Sequence, residues 1–185
     1  MAGKALLLLS GGIDSPVAGH LIARQGLEVL AVHFSLEPIT DDAAAVKSRK
    51  LAERLGLSKR LMVRIAEAIA RREGCAYLLT GDSLGQVSSQ TLPNLRAIDA
   101  ASSIVVLRPL IGFDKDETVR IAREIGTFEI SEGPEICDLL GPAHPATRAS
   151  MEQVLAEEAR IDIDRLVRDA LAGTTEERLI SARLS

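Results

Sequence analysis

The 185-residue sequence has no tryptophan, one tyrosine and three phenylalanines, so aromatic residues make up 2% of it. The chain is nonetheless 46% hydrophobic, and its core must therefore be built from Leu, Ile, Val and Ala, which suits a layered α/β domain. Only two cysteines are present, Cys75 and Cys137, too few for the disulfide framework of a secreted chain of this length. No apolar run exceeds residues 5–9, which is too short for a signal peptide or a membrane span, so a cytoplasmic protein with no membrane partner is expected. A positive excess is also missing: 22 Lys and Arg stand against 26 Asp and Glu, a net charge of −4. That balance argues against a chain that wraps nucleic acid unaided. The local clusters Lys47, Arg49 and Lys50, then Lys59, Arg60 and Arg64, then Arg71 and Arg72 read as solvated helix faces. They permit an RNA partner without requiring one.

What is present alternates. KALLLLS is a short continuous apolar run, as in a strand buried on both faces of a parallel sheet. SPVAGHLIARQG follows with Val17, Leu21 and Ile22 at helical spacing, Ser15 placed to cap, Pro16 in the first turn and Gly26 at the end. EVLAVHF reads as a second buried strand, DDAAAVKSRKLAERLGL as a helix, AYLLTGDS and SIVVLRPL as further strands. DKDETVRIAREIG reads as a helix capped by Asp114, with Glu117 at the capping-box spacing. From about Thr147 the tail reads as two amphipathic helices joined near Ala172, Gly173 and Thr174, with apolar faces that suit packing on the domain or on a second copy of the chain. This pattern predicts a doubly wound, mainly parallel α/β sheet over residues 1–146 and a helical extension over 147–185. The alternation lapses once: near residues 57–58 two helical patterns meet with no strand between them. Either a true helix hairpin lies there, or a strand-bearing segment is missing.

The loop Ser10-Gly11-Gly12-Ile13-Asp14-Ser15 leaves a buried strand and enters a helix. Such a loop offers unpaired backbone N–H groups and the positive end of the helix dipole, while glycines let an anion approach and serines add donors. Read alone it is either a tight turn before a capped helix or a phosphate cradle. It lacks the Lys-Ser/Thr ending of a Walker loop and the GxGxxG spacing of a dinucleotide fold. Asp14 beside phosphates calls for a divalent cation, so it is assigned to Mg²⁺.

These residues resemble the SGGxDS pyrophosphatase loop of the ATP-pyrophosphatase superfamily. With SGGIDSPVA, VHF at 32–34, KRLMVRIAEAIA at 59–70, TGDSLGQVSSQTLPNL at 80–95, LRPLIGFDKDE at 107–117 and IGTFEIS at 125–131, the sequence is similar to the tRNA 4-thiouridine sulfurtransferase family over nearly its whole length. The resemblance implies ATP binding by the backbone at Leu8 and Leu9 and by Ser10, Gly11, Gly12, Asp14 and Ser15, with His33 and Phe34 flanking the adenine or ribose. Taken alone, His33 would read as a core histidine. Lys59, Gly81 and Gln90 match further nucleotide contacts, and Lys115 matches a lysine acting on phosphates or on the adenylated intermediate. A lysine at a helix N-terminus is opposed by the dipole, so a compensating ligand anion beside Lys115 is expected. Ser88, Ser89 and Thr91 suit turns and caps equally well and carry no assigned role.

Cys137 lies in the Pro/Gly-rich stretch SEGPEICDLLGPAHP, where an exposed thiol of lowered pKa would be reactive; His144 nearby has no assigned role. Cys75, before a strand, reads as an inert small hydrophobe. The resemblance implies that Asp14, Lys115 and Cys137 are catalytic. It further implies that a tRNA uridine is adenylated with release of pyrophosphate, and that a persulfide from a cysteine desulfurase or rhodanese-type donor supplies sulfur with help from Cys137. The family's N-terminal RNA-capturing region with its THUMP domain, and the rhodanese domain of some members, are not in this sequence, which leaves an excised domain, a split subunit or a standalone relative. The alternatives are sulfur transfer to a sulfur-carrier protein for thiamine thiazole synthesis, or an ATP/AMP-binding module without turnover.

Overall fold

The computed structural model describes residues 3–34, 57–84, 90–132 and 150–177. β1 (Lys4–Leu8), β2 (Glu28–Val32), β3 (Tyr77–Leu79) and β4 (Val105–Leu107) form one parallel sheet in the order β2-β1-β3-β4. Seven helices stand among the described residues: α1 (Asp14–Ala23), α2 (Leu57–Arg72), α3 (Leu92–Asp99), α4 (Lys115–Glu124), α5 (Phe128–Ser131), α6 (Met151–Glu158) and α7 (Ile163–Ala172).

The continuous apolar character of β1 follows from burial on both faces. Successive strand side chains point to opposite sides. Leu6 and Leu78 join Val63, Ile65, Ala66 and Ile69 of α2 and Ile98 of α3, with Val167, Ala170 and Leu171 of α7 against the same cluster. Ala5, Leu7 and Leu79 join Val17, Ala18 and Ile22 of α1 and Ala122 of α4 on the other side. Each fully buried leucine contributes about 2 kcal/mol of hydrophobic stabilisation. The α/β doubly wound expectation holds, with helices on both faces of a parallel sheet. Among the described residues, no helix is long and apolar enough to cross a membrane.

Four local readings change. β2 is an edge strand among the described residues, its side chains half-buried or exposed, because no described strand pairs beyond it. Ser15 does not cap α1, whose cap position is Ile13 with no side-chain hydrogen bond. The tail is already broken between Glu158 and Ile163, ahead of the expected junction near Gly173, and residues 178–185 lie outside the described residues. At that break Asp162 accepts from the Arg165 amide and starts a new helix, while Gly173 follows its end. α3 and α5 were not anticipated, α3 being a short helix with a proline in its first turn. The helix read over residues 41–57 falls mainly outside the described residues. Gly26 ends α1 as expected, at φ +90°, a conformation that favours glycine. The Asp114–Glu117 capping box is formed in full: the Asp114 carboxylate accepts from the Glu117 amide at 2.8 Å, and the Asp114 amide donates to Glu117 Oε2 at 2.9 Å.

Candidate functional site

The strand order places β2 on one side of β1 and β3 on the other, so consecutive connections leave β1 in opposite directions. A crevice opens outside the carboxyl ends of strands at such a switch point. The SGGIDS loop follows β1 there, and the loop at residues 80–84 follows β3.

The loop is wound around two hydroxyls. Ser15 Oγ accepts from the Ser10 amide at 3.2 Å and lies 3.3 Å from Ser10 Oγ, which accepts from the Gly12 amide at 3.3 Å. Gly11 sits at φ +88°, which a side chain would strain. Gly12 and Ser15 are buried and Gly11 is exposed. Ile13 makes no side-chain cap at the α1 N-terminus; the first N–H groups of a helix lack intrahelical partners, and the dipole favours an anion there.

Gly81 packs the second loop directly on the first. A Cβ at Gly81 would stand 2.8 Å from the Asp14 carbonyl carbon and the Ser15 nitrogen. Its absence of a side chain is thus a matter of backbone contact. Lys115 Nζ lies 3.3 Å from Asp14 Oδ1, so within the chain the Asp14 carboxylate is the charge beside this helix-start lysine. Ser10, Gly11, Gly12, Asp14, Ser15, Gly81 and Lys115, which span the chain from β1 to α4, converge on one place.

The remaining predicted residues stand around that centre. Leu9 uses its amide to donate to the Val32 carbonyl at 2.9 Å, and its own carbonyl lies 3.0 Å from His33 Nδ1. A carbonyl oxygen only accepts, so that contact requires the proton on Nδ1. Leu8 closes β1, and Phe34 packs partly buried against the Leu6 cluster. Gln90 Oε1 accepts from the Ser83 amide at 3.3 Å, and the buried Ser83 hydroxyl has no hydrogen-bond partner among the described residues. Cys137 and His144 lie outside the described residues, as do Ser88 and Ser89. Cys75 is buried, and burial pushes its thiol up.

Sequence reasoning missed an ionic relay at the ends of β3 and β4. Asp82 Oδ2 accepts from Thr80 Oγ1 at 2.9 Å and from Arg108 Nε at 3.2 Å, and Asp82 Oδ1 lies 4.0 Å from Lys59 Nζ. Arg108 also holds Asp99 at 2.7 Å. The available signal was positional: Asp82 stands three residues after the end of β3 and Arg108 directly after the end of β4. An open cavity of about 430 Å³, lined by Leu92, Leu95, Arg96, Asp99, Arg108 and Ile111, lies beside this relay rather than over the SGGIDS loop.

No group of three or more His, Cys, Asp or Glu residues able to hold a metal occurs among the described residues. A Mg²⁺ ion bridging phosphates needs only one or two protein carboxylates, and the partly exposed Asp14 fits that smaller demand.

The profile of the family described as "Thiamine biosynthesis protein (ThiI)" matches residues 1–58 and 54–163. A probable tRNA sulfurtransferase of Thermus thermophilus is 45% identical over 204 residues, an alignment covering 92% of this chain and 50% of the relative. That of Acetivibrio thermocellus is 40% identical, covering 93% of this chain and 52% of the relative. A crystal structure of a 4-thiouridine synthetase–RNA complex with bound ATP superposes with a TM-score of 0.78 at 36% identity, over 92% of this chain and 54% of that one. The chain spans about half the length of the curated relatives it matches.

Proposed function

The chain belongs to the ThiI family, and from that premise we propose that it carries the ATP-splitting and sulfur-transfer chemistry of a tRNA sulfurtransferase. The observation that carries this reading is the uncapped α1 N-terminus behind Ser10–Ser15, at the switch point of the sheet. ATP lies with its base toward His33 and Phe34 and its phosphates over the loop. The uracil C4 oxygen of a tRNA uridine attacks the α-phosphorus, the bond to the β-phosphate breaks, and pyrophosphate leaves toward the α1 N–H groups. Lys115 exchanges Asp14 for phosphate oxygen, and Asp14 is the residue that would then hold Mg²⁺. Mg²⁺ bound there neutralises phosphate charge.

A donor persulfide, from a cysteine desulfurase or a rhodanese-type protein, then displaces AMP. The Cys137 thiolate attacks the resulting sulfur–sulfur bond, releasing 4-thiouridine and leaving a disulfide between Cys137 and the donor. The chain works in the cytoplasm with tRNA brought by an RNA-binding region, and the exposed Leu155, Ile161 and Leu166 of the tail suit a second copy. We read residues 1–146 as the ATP-pyrophosphatase domain and 147–185 as its helical extension. We also read residues 57–58 as the place where relatives carry a further segment. Support comes from the two matched stretches meeting at 54–58 and from a 204-residue alignment to a 185-residue chain.

The test is pyrophosphate release from ATP with and without unmodified tRNA. Release that depends on tRNA supports the proposal, and ATP binding with no release under any acceptor refutes it in favour of a binding module. The family's description as a thiamine biosynthesis protein favours one second reading, sulfur transfer to a sulfur-carrier protein. Release stimulated by that carrier and not by tRNA would select it.

A further inference from the structure

The first turns of α2 hold three cations, Lys59, Arg60 and Arg64, and no acid lies in the first turn. Cations at the positive end of a helix dipole oppose each other and the dipole. Compensation must come from elsewhere in the fold, and it comes from α6. Glu158 Oε1 accepts from Arg60 Nε at 2.8 Å and from Arg64 Nη1 at 2.5 Å, while Oε2 accepts from Arg60 Nη2 and Arg64 Nη2, each at 3.0 Å. Arg60 is 1% exposed and Glu158 7%. The remaining Arg60 nitrogen, Nη1, donates to the Ala97 carbonyl in the last turn of α3, where helix carbonyls lack intrahelical partners.

One carboxylate therefore satisfies two arginines, and one of these also closes the end of α3. The neighbour of that buried arginine in sequence is Lys59, which faces Asp82. Asp82 in turn holds Arg108, and Arg108 holds Asp99 of α3. The contacts form a ring from α2 through the loop after β3, the end of β4 and α3, back to α2.

We infer that Glu158 is a positioning residue for the candidate nucleotide site, holding the α2 N-terminus so that Lys59 stands against Asp82 beside the phosphate loop. The inference rests on the nucleotide reading of that loop and assigns a role to a tail residue distant in sequence. Without the Glu158 charge, Arg60 is buried beside Arg64 with no anion on it among the described residues. The α2 end must then move to hydrate them, and Lys59 moves with it.

The experiment measures the affinity of the 185-residue chain for ATP with Mg²⁺, by calorimetry, in a double-mutant cycle of Glu158→Gln and Lys59→Ala. The expected result is about a tenfold loss of ATP affinity for Glu158→Gln in the wild-type background and none in the Lys59→Ala background. Wild-type affinity in Glu158→Gln, or equal losses in both backgrounds, overturns the inference, because general destabilisation does not depend on Lys59. Absence of ATP binding by the wild-type chain overturns the nucleotide reading as well, so the wild-type arm separates the two failures. If Glu158→Gln does not fold, Glu158→Asp, which keeps the charge but withdraws it, is put through the same cycle. A smaller loss erased by Lys59→Ala supports the inference, and a loss that persists there overturns it.

Discussion

Asp14 and Lys115, separated by 101 positions in the chain, meet at 3.3 Å in an ion pair between the start of α1 and the start of α4. Both side chains are partly exposed, so the pair itself adds little stability, under about 1 kcal/mol. Lys115→Met should therefore leave the thermal midpoint nearly unchanged. If Lys115 meets the phosphates during turnover, the same variant lowers the rate of pyrophosphate release by about 100-fold. Thermal unfolding and a pyrophosphate assay on one preparation check both halves.

Two glycines of the site are required for different reasons, and alanine separates them. Gly81→Ala drives a Cβ to 2.8 Å from the Asp14 and Ser15 backbone, where nothing flexible can yield. It should cost about 1–3 kcal/mol and displace the phosphate loop, abolishing ATP binding. Gly11→Ala meets no atom within 4 Å but must hold φ +88°, a strain of about 1–3 kcal/mol. Denaturant unfolding should show both losses. Only Gly81→Ala should lose ATP affinity at a temperature where both variants are folded.

Two carboxylates tie stability to pH. Burial raises the Glu158 carboxyl, but the Arg60 and Arg64 hydrogen bonds and charges outweigh it and hold it at about 2, against an ordinary 4.5. Burial likewise raises Glu67, and bonds from the Ser103 hydroxyl and amide and from Arg71 outweigh it, again to about 2. A lowered carboxyl stabilises the fold fully above its unfolded value and loses that contribution as pH falls through the folded value. Stability should be flat above about pH 5 and fall between pH 5 and 2, by up to about 3 kcal/mol per group. Urea unfolding across that range checks this, and Glu158→Gln should flatten part of the slope.

The two thiols should behave oppositely. Cys75 is buried with its thiol pushed up, so little thiolate is available for attack. Cys75→Ala should leave pyrophosphate release and sulfur incorporation intact at about 1 kcal/mol of stability. Cys137→Ser should abolish incorporation of labelled sulfur while pyrophosphate release continues. Loss of ATP binding in Cys137→Ser would contradict the role proposed for it.

Much of the architecture could be read from residue order because its causes are local. A run such as KALLLL needs two apolar neighbours, an acidic cap with Glu three positions on starts a helix, and strand–helix alternation forces parallel pairing. The same locality explains the candidate phosphate loop, since a strand, two glycines and a helix start are contiguous in the chain. The errors fell where the deciding partner is remote or the signal short. β2 looked buried because its residues are apolar, yet its exposure depends on whether another strand lies beyond it. Ser15 looked like a cap because caps are common before helices, yet its hydroxyl turned to Ser10.

By itself the sequence determined the α/β class, the glycine-rich loop after β1 and the family to which the chain belongs. Each is carried by contiguous residues whose backbone chemistry does not depend on distant partners. Only the tertiary structure decided that Lys115 sits on Asp14, that Gly81 is a contact glycine, and that Asp82 links Lys59 to Arg108. The same is true of Glu158, a tail residue that holds the cations of α2. Those relations join positions tens of residues apart, and ion pairs and close packing depend on distance in space, which sequence order does not encode.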